Sequence, residues 1–217
     1  MNDDVKSEPR YCSSIPEIVD KISDYCKKNN YSKILEIGPG YTSFPLSTHF
    51  VDYIDRRQHT VIVDVSKESL PFKDKEFDFV YCRHVIEDMY NPFLLLNEIN
   101  RVSNAGYFET PSPLIEMSRY IDDGHPQYRG YIHHRYIVYV DDTNNLTLIS
   151  KYPFVEYFDF SIDDSKNRNY IDDKYLWNTY YLWEKEIKYK YLQLDIDYNI
   201  RTDYADLVIK AINDGIK

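Results

Sequence analysis

From Ser13 onward, apolar positions recur at helical spacing: Ile15, Ile18, Val19, Ile22 and the Tyr25-Cys26 pair form one face behind a Ser13/Ser14 cap, which predicts an amphipathic lead-in helix. The period then shortens. Apolar runs at 33–37, 49–51, 60–63 and 77–82 read as four strands. A second helix is predicted over Asn91 to Val102, with Pro92 in its first turn and Leu94, Leu95, Ile99 and Val102 as its stripe, stopped by Asn104-Ala105-Gly106. Tyr107-Phe108-Glu109 begins a fifth strand, broken at Thr110-Pro111-Ser112-Pro113. Strands alternating with helices at this pitch predict an α/β architecture with a doubly wound, mostly parallel sheet.

The C-terminal third has a different pattern. Runs at 135–140 and 146–151 flank Asp141-Asp142-Thr143-Asn144-Asn145, the mark of a hairpin. From Tyr180 to Leu192 the alternation of Tyr181, Trp183, Lys185, Ile187, Tyr189 and Tyr191 is strand-like, and a helix from about Tyr204 to Ile212 closes the chain. These elements are expected as antiparallel additions to the sheet edge. Residues 1–12, polar and carrying Pro9, read as a flexible N-terminal tail, and 13–217 as one domain without repeats or low-complexity linkers.

Composition narrows the partners. In 217 residues the hydrophobic share is 43% and the aromatic share 16%, enough to fill one core. The 23 tyrosines accompany a general richness in Asn, Lys, Asp and Ile, so their number is no argument for ligand stacking. A net charge of −10 opposes the counterion release that drives binding to a phosphate backbone, so no nucleic-acid partner is expected. Cys12, Cys26 and Cys82 have neither disulfide nor zinc-knuckle spacing, and a reducing compartment fits them. The first residues lack a secretory signature and no apolar run reaches the ~18 residues of a membrane span, so a cytoplasmic location with no membrane partner is expected.

Candidate chemistry begins at Leu35-Glu36-Ile37-Gly38-Pro39-Gly40, where a strand runs into two glycines. Such a turn lets backbone N–H groups approach a nucleotide-like ligand, although a ligand-free strand-to-helix turn needs glycine too. The dinucleotide pattern G-x-G-x-x-G fails because residue 43 is Ser, which disfavours NAD. An ordered series follows: Val51-Asp52, Val63-Asp64, Leu70-Pro71-Phe72, Phe77-Asp78 and His84-Val85-Ile86-Glu87. This series resembles the class I S-adenosylmethionine (SAM)-dependent methyltransferases of the type 11 kind, across about residues 33 to 111. More weakly, Glu109-Thr110-Pro111-Ser112 and His133-His134-Arg135 resemble a subgroup of that family.

The resemblance implies a Rossmann-like, mostly parallel seven-stranded sheet with antiparallel C-terminal strands, and S-adenosyl-L-methionine as cofactor. It also implies roles: Glu36, Gly38, Gly40 and His84 beside the methionine end of SAM, Asp52 on the ribose hydroxyls with Asp55 as rival, and Asp64 on the adenine amino group. Two departures stand out. Residue 42 is Thr where many relatives have a third glycine, and Pro45 leaves little room for a full helix before His49. Asp88 replaces the family's second histidine.

The implied activity is methyl transfer to a small polar acceptor, an O-methylation of a metabolite or sugar derivative. Its base would be a histidine: His134, His84 or His133, each equally able to serve a structural hydrogen bond. His125, His133 and His134 could hold a metal, but no carboxylate spacing supports it and no metal site is expected. A non-catalytic SAM-binding or interaction protein on the same fold, suggested by Thr42 and Asp88, is the alternative reading, and a histidine-metal hydrolase the third. Lys73-Asp74-Lys75-Glu76 reads as a solvated charged turn, and Tyr81-Cys82-Arg83-His84 lacks the Asp-Pro-Pro-Tyr type of box used on base amino groups.

Overall fold

The computed structural model describes residues 13–55, 59–122, 127–157, 172–194, 197, 199 and 202–216. The expected tail at 1–12 and His125 lie outside the described residues. Helix α1 (Pro16–Lys28) leads into strands β1 (Ile34–Ile37), β2 (His49–Asp52), β3 (Thr60–Ile62) and β4 (Phe79–Arg83). Then come α2 (Pro92–Val102), β5 (Ala105–Pro111), the short α3 (Pro113–Met117), β6 (Tyr136–Val140), β7 (Leu146–Ser150), β8 (Asn178–Glu184), β9 (Tyr189–Leu192) and α4 (Asp203–Gly215).

The central sheet has the order β3-β2-β1-β4-β5-β8, in which the first five strands are parallel and β8 runs antiparallel to β5. Its two faces are covered by different helices, which makes it doubly wound. Ile34, Phe79, Tyr81, Ala105 and Tyr107 point to the side of Ile22 and Cys26 on α1, while Leu35, Ile37, Val80, Cys82 and Phe108 meet Leu95, Leu96 and Ile99 of α2. Side chains that alternate between two buried faces explain why these strands are apolar throughout.

The start of α1 differs from expectation: Ile15, not a serine, stands at the N-cap and makes no side-chain cap, and Pro16 supplies a preset φ at the first helical position. Helix α2 matches its prediction, and Asn91 caps it by accepting from the Leu94 N–H at 3.3 Å.

The C-terminal elements follow a different plan from the expected one. The hairpin β6–β7 does not extend the central sheet; with β9 it forms a separate three-stranded sheet, in which β7 pairs parallel to β9. The alternating stretch Tyr180–Leu192 is two strands rather than one, because the chain turns at Lys185 (φ +69°) and delivers β8 to the central sheet and β9 to the small one. Strand β5 runs unbroken through Thr110-Pro111, since β8 pairs along it from Ala105 opposite Glu184 to Pro111 opposite Asn178. Strands β6 and β7 are buried on both faces: Val138, Leu146 and Leu148 join the central core, while Ile137, Tyr139 and Ile149 pack with Leu114, Tyr204, Val208 and Ile212. No helix of the described residues is long and apolar enough to cross a membrane.

Candidate functional site

The carboxyl ends of β1, β2, β3 and β4 open onto a cavity of about 490 Å³ lined by Gly38, Gly40, Asp52, Tyr53, Asp64, Lys67, His84, Asp88 and Tyr90, among others. This is where an open parallel sheet binds its ligand, and the volume is that of a small-molecule site. Five of the six residues assigned to the cofactor (Gly38, Gly40, Asp52, Asp64 and His84) line this cavity.

The two glycines serve different purposes. Both have positive φ, +67° at Gly38 and +54° at Gly40. A Cβ on Gly38 would lie 2.5 Å from Val85 Cγ2, so this glycine lets the loop after β4 close over the turn. A Cβ on Gly40 would meet nothing within 4 Å and would project into open space at a cavity-lining position.

Glu36 does not line the cavity. It is 3% exposed, and both its carboxylate oxygens accept from the Phe44 N–H at 3.1 Å. Phe44 in turn stacks on Tyr81, with ring centroids 4.5 Å apart and planes 6° from parallel. Residues 38–48 thus cross from β1 to β2 without a helix, as the shortness of this segment predicts, and Phe44 plugs the face a helix would otherwise cover. Asp52 ends β2 with Oδ1 accepting from the N–H groups of Tyr53 at 2.7 Å and Ile54 at 3.3 Å. The rival Asp55 is exposed and is not part of the lining. Asp64 accepts from the Ser66 N–H at 3.1 Å and pairs with Lys67 Nζ at 2.6 Å, and the hydrogen bond from Lys67 is the main cause of its lowered pKa.

A second cavity of about 650 Å³ adjoins the first, sharing Tyr90. His133, His134, Arg135, Lys151 and Glu156 line it. The three candidate bases are therefore divided: His84 faces the first cavity, His133 and His134 the second. His84 has φ +51°, its Nδ1 lies 3.3 Å from Glu87 Oε1, and its Nε2 lies 3.9 Å from Glu109 Oε1. Glu109, inside β5, is held by Tyr107 Oη at 2.8 Å, Asn178 Nδ2 at 2.9 Å and Arg83 Nε at 3.3 Å.

Behind the wall of the second cavity lies a buried charged chain that sequence reading did not assemble. His134 Nδ1 is 2.5 Å from Glu116 Oε1, and Glu116 Oε2 accepts from Lys151 Nζ at 2.6 Å. Lys151 also donates to the carbonyls of Arg129 and Tyr131, at 3.0 and 2.8 Å. Burial alone would weaken the hold of His134 on its proton, but the Glu116 carboxylate, with Glu87 and Asp88, outweighs burial and lifts its pKa to about 9. Glu116 is held well below the usual carboxylate range, because the charges of Lys151 and His134 outweigh its own burial. Glu87, 1% exposed, is pushed up to about 7 chiefly by burial. Asp88 rises to about 6 from burial and then from the charge of Glu87. Glu116 and Lys151 are 35 positions apart and lie on a short helix and just past a strand end, so no local spacing announces the pair. The one available signal was Asp88, visible as a departure from the family pattern but not as a bridge between cavities.

The Lys73–Glu76 turn stands apart from both cavities, and its charges are tied to Lys33, Arg101 and the end of α2, as its reading as a surface turn predicts.

Residues 26–108 match the family model described as a methyltransferase domain, type 11. The match covers less than half of the chain, and the ordered motifs read from the sequence fall within it. No curated protein matches the chain. Among solved structures, a putative methyltransferase from Bacillus halodurans C-125 is 19% identical with a TM-score of 0.34, the match covering 44% of this chain and 52% of that one. A SAM-dependent methyltransferase from Clostridium acetobutylicum is 14% identical with a TM-score of 0.40, covering 61% and 60%. One from Mesorhizobium loti is 16% identical with a TM-score of 0.32, covering 40% and 50%. The chain spans less than two thirds of the length of each of these neighbours.

Proposed function

We propose that this protein binds SAM in the cavity at the carboxyl ends of β1–β4 and methylates an oxygen of a small polar acceptor, such as a metabolite or sugar derivative. The observation that carries the reading is the meeting of two cavities at Tyr90: one has the glycine turn and strand-end acids suited to a nucleoside, and the other has a polar, histidine-bearing wall. The residues present fit the cofactor. Gly40 borders open space in the cavity, Asp52 offers a carboxylate at a strand end as acceptor for a ribose diol, and Asp64 stands on the neighbouring strand end. Glu36 acts indirectly, by fixing the 38–48 loop through Phe44.

Bound SAM would supply a methyl group on a positively charged sulfur. The chain's remaining tasks are to align the acceptor and to take up its hydroxyl proton. Of the three histidines, His84 is the one that lines the donor cavity, and it serves as the base in this reading.

Calorimetry with S-adenosylhomocysteine against NAD tests the cofactor: saturable binding of the first and none of the second is expected, and the reverse would overturn the assignment. Asp52→Ala should weaken the nucleoside ligand by ~1–3 kcal/mol, while Asp55→Ala should do less. His84→Asn, chosen because asparagine tolerates positive φ, should lower turnover ~10²-fold or more at unchanged melting temperature. Full turnover in that variant would move the base elsewhere. The replacement of the family histidine by Asp88 keeps a second reading in play, a SAM-binding protein without catalysis. Tight binding with no turnover across a broad panel of hydroxyl acceptors would select it.

A further inference from the structure

We propose that Asp88, His133 and His134 form a binding site for a divalent transition-metal ion of the zinc and cobalt class, placed where the two cavities meet. Asp88 Oδ1 lies 3.7 Å from His133 Nε2 and 3.8 Å from His134 Nε2, and one ligand atom from each residue falls within 4.8 Å of the others. Ligand atoms held about 2.1 Å from a tetrahedral ion sit roughly 3.4 Å apart, so the two carboxylate–imidazole separations are within a few tenths of an ångström of the set an ion needs, and the two imidazoles have to close from within 4.8 Å. The separations are too long for hydrogen bonds. Asp88 Oδ1 is accordingly a buried carboxylate oxygen with no hydrogen-bond partner among the described residues, a state that calls for an ion or a water.

The surroundings are those of a metal ligand set. Glu116 Oε1 holds His134 Nδ1 at 2.5 Å, which orients the ring and directs Nε2 at Asp88. A carboxylate on the far nitrogen of a ligating histidine is the usual outer partner in such sites. Lys151 fixes Glu116 in turn. The two ligand segments are also lashed together, since Glu87 O accepts from the N–H groups of Arg135 at 2.7 Å and Tyr136 at 3.2 Å. His133 is 59% exposed, so the ion has an entrance and open coordination positions toward the second cavity. Two imidazoles and one carboxylate suit zinc, cobalt or nickel better than magnesium or calcium. The alternative occupant of His134 Nε2 is a proton, which would leave an imidazolium between Glu116 and Asp88. Only the service such an ion could give, holding an acceptor hydroxyl beside His84, rests on the methyltransferase reading; the site itself does not.

The test uses the full chain without a histidine tag, stripped with chelator and titrated with Co²⁺ in the absence of nucleoside and acceptor. The readouts are visible absorption and calorimetry, with Zn²⁺ as competitor and Mg²⁺ as control. One equivalent of Co²⁺ displaced by Zn²⁺ but not Mg²⁺ is expected. His133→Ala, on an exposed side chain, should weaken it at least ~10-fold, Asp88→Asn likewise, and Glu116→Gln should cost ~10–100-fold with both ligating histidines kept. No saturable binding to the wild type, or binding untouched by both His133→Ala and Asp88→Asn, overturns the site. Because no SAM species enters the titration, failure here leaves the cofactor reading standing, and failure of that reading leaves the metal site standing.

Discussion

The two adjoining cavities are built on opposite principles. The first is assembled by backbone: four parallel strand ends deliver Gly38, Asp52, Asp64 and His84 to one rim, and each functional group sits on or just past the strand that places it. The second is assembled by side chains remote in sequence, with Glu116 from α3, His134 from the turn before β6 and Lys151 just past β7 joined in one buried chain. Removing a group from the first rim should therefore change what binds there and leave the fold in place. Removing one from the second should strand a charge in the interior.

The largest effect should come from that second wall. Lys151→Ala would leave Glu116, 1% exposed, without its ammonium partner, and the carbonyls of Arg129 and Tyr131 without their donor. Breaking a buried pair on one side costs about 3–5 kcal/mol. Denaturant unfolding of the variant is expected to show a loss of that size. A loss below ~1 kcal/mol would mean that the second wall tolerates change as the first does, and the contrast would collapse.

A smaller effect tests the first cavity from within. Gly38 and Gly40 share positive φ, and an alanine at either bears a strain of about 1–2 kcal/mol. Only at Gly38 does the added methyl also collide with Val85. Thermal unfolding should place Gly38→Ala clearly below Gly40→Ala, whereas calorimetry with S-adenosylhomocysteine should show Gly40→Ala losing affinity out of proportion to its stability. Equal behaviour of the two variants in both measurements would remove the distinction between a structural and a ligand-facing glycine.

The same division explains what was legible in the sequence. The order of strands β1–β5, the stripe of α2 and the strand-end acids could be read because parallel strands carry their functional residues at a fixed place, the carboxyl end, so local motifs map directly onto the rim. Even the missing helix before β2 was visible, in Pro45 and the shortness of the segment. Local pattern failed where partner choice decides. Period-two alternation marks Tyr180–Leu192 as extended, but nothing in it says that β8 lies against β5 and β9 against β7. The run Tyr136–Val140 likewise reads as a strand, while its burial on both faces depends on α4, more than 60 positions later. Glu36 was assigned to the ligand because its position matched the family; its contact with Phe44 depends on a loop whose path the motif does not encode.

The smallest effect concerns the hairpin that carries the second wall. Asp141 opens the β6–β7 turn, where Oδ1 accepts from the N–H groups of Thr143 at 2.9 Å and Asn145 at 3.0 Å, and Oδ2 pairs with Lys190 Nζ of β9 at 2.7 Å. Burial alone would raise its pKa, but Lys190 and the turn N–H groups prevail and hold it well below the usual carboxylate range. A carboxyl group whose folded value is depressed is protonated first in the unfolded chain. Its contribution is therefore complete above the unfolded value of about 4 and shrinks as pH falls below it. Lys190 is 46% exposed, so the pair itself is screened and the effect should be modest, about 1 kcal/mol for Asp141→Ala at neutral pH. Unfolding curves of wild type and Asp141→Ala should be separated by that amount at pH 7, and the gap should begin to narrow as pH falls below about 4 toward the depressed folded value. Curves that stay parallel across that range would show that the turn is held by its backbone geometry alone. A separation near that of Lys151→Ala would show instead that the hairpin tip, and not the buried chain behind it, anchors the second wall.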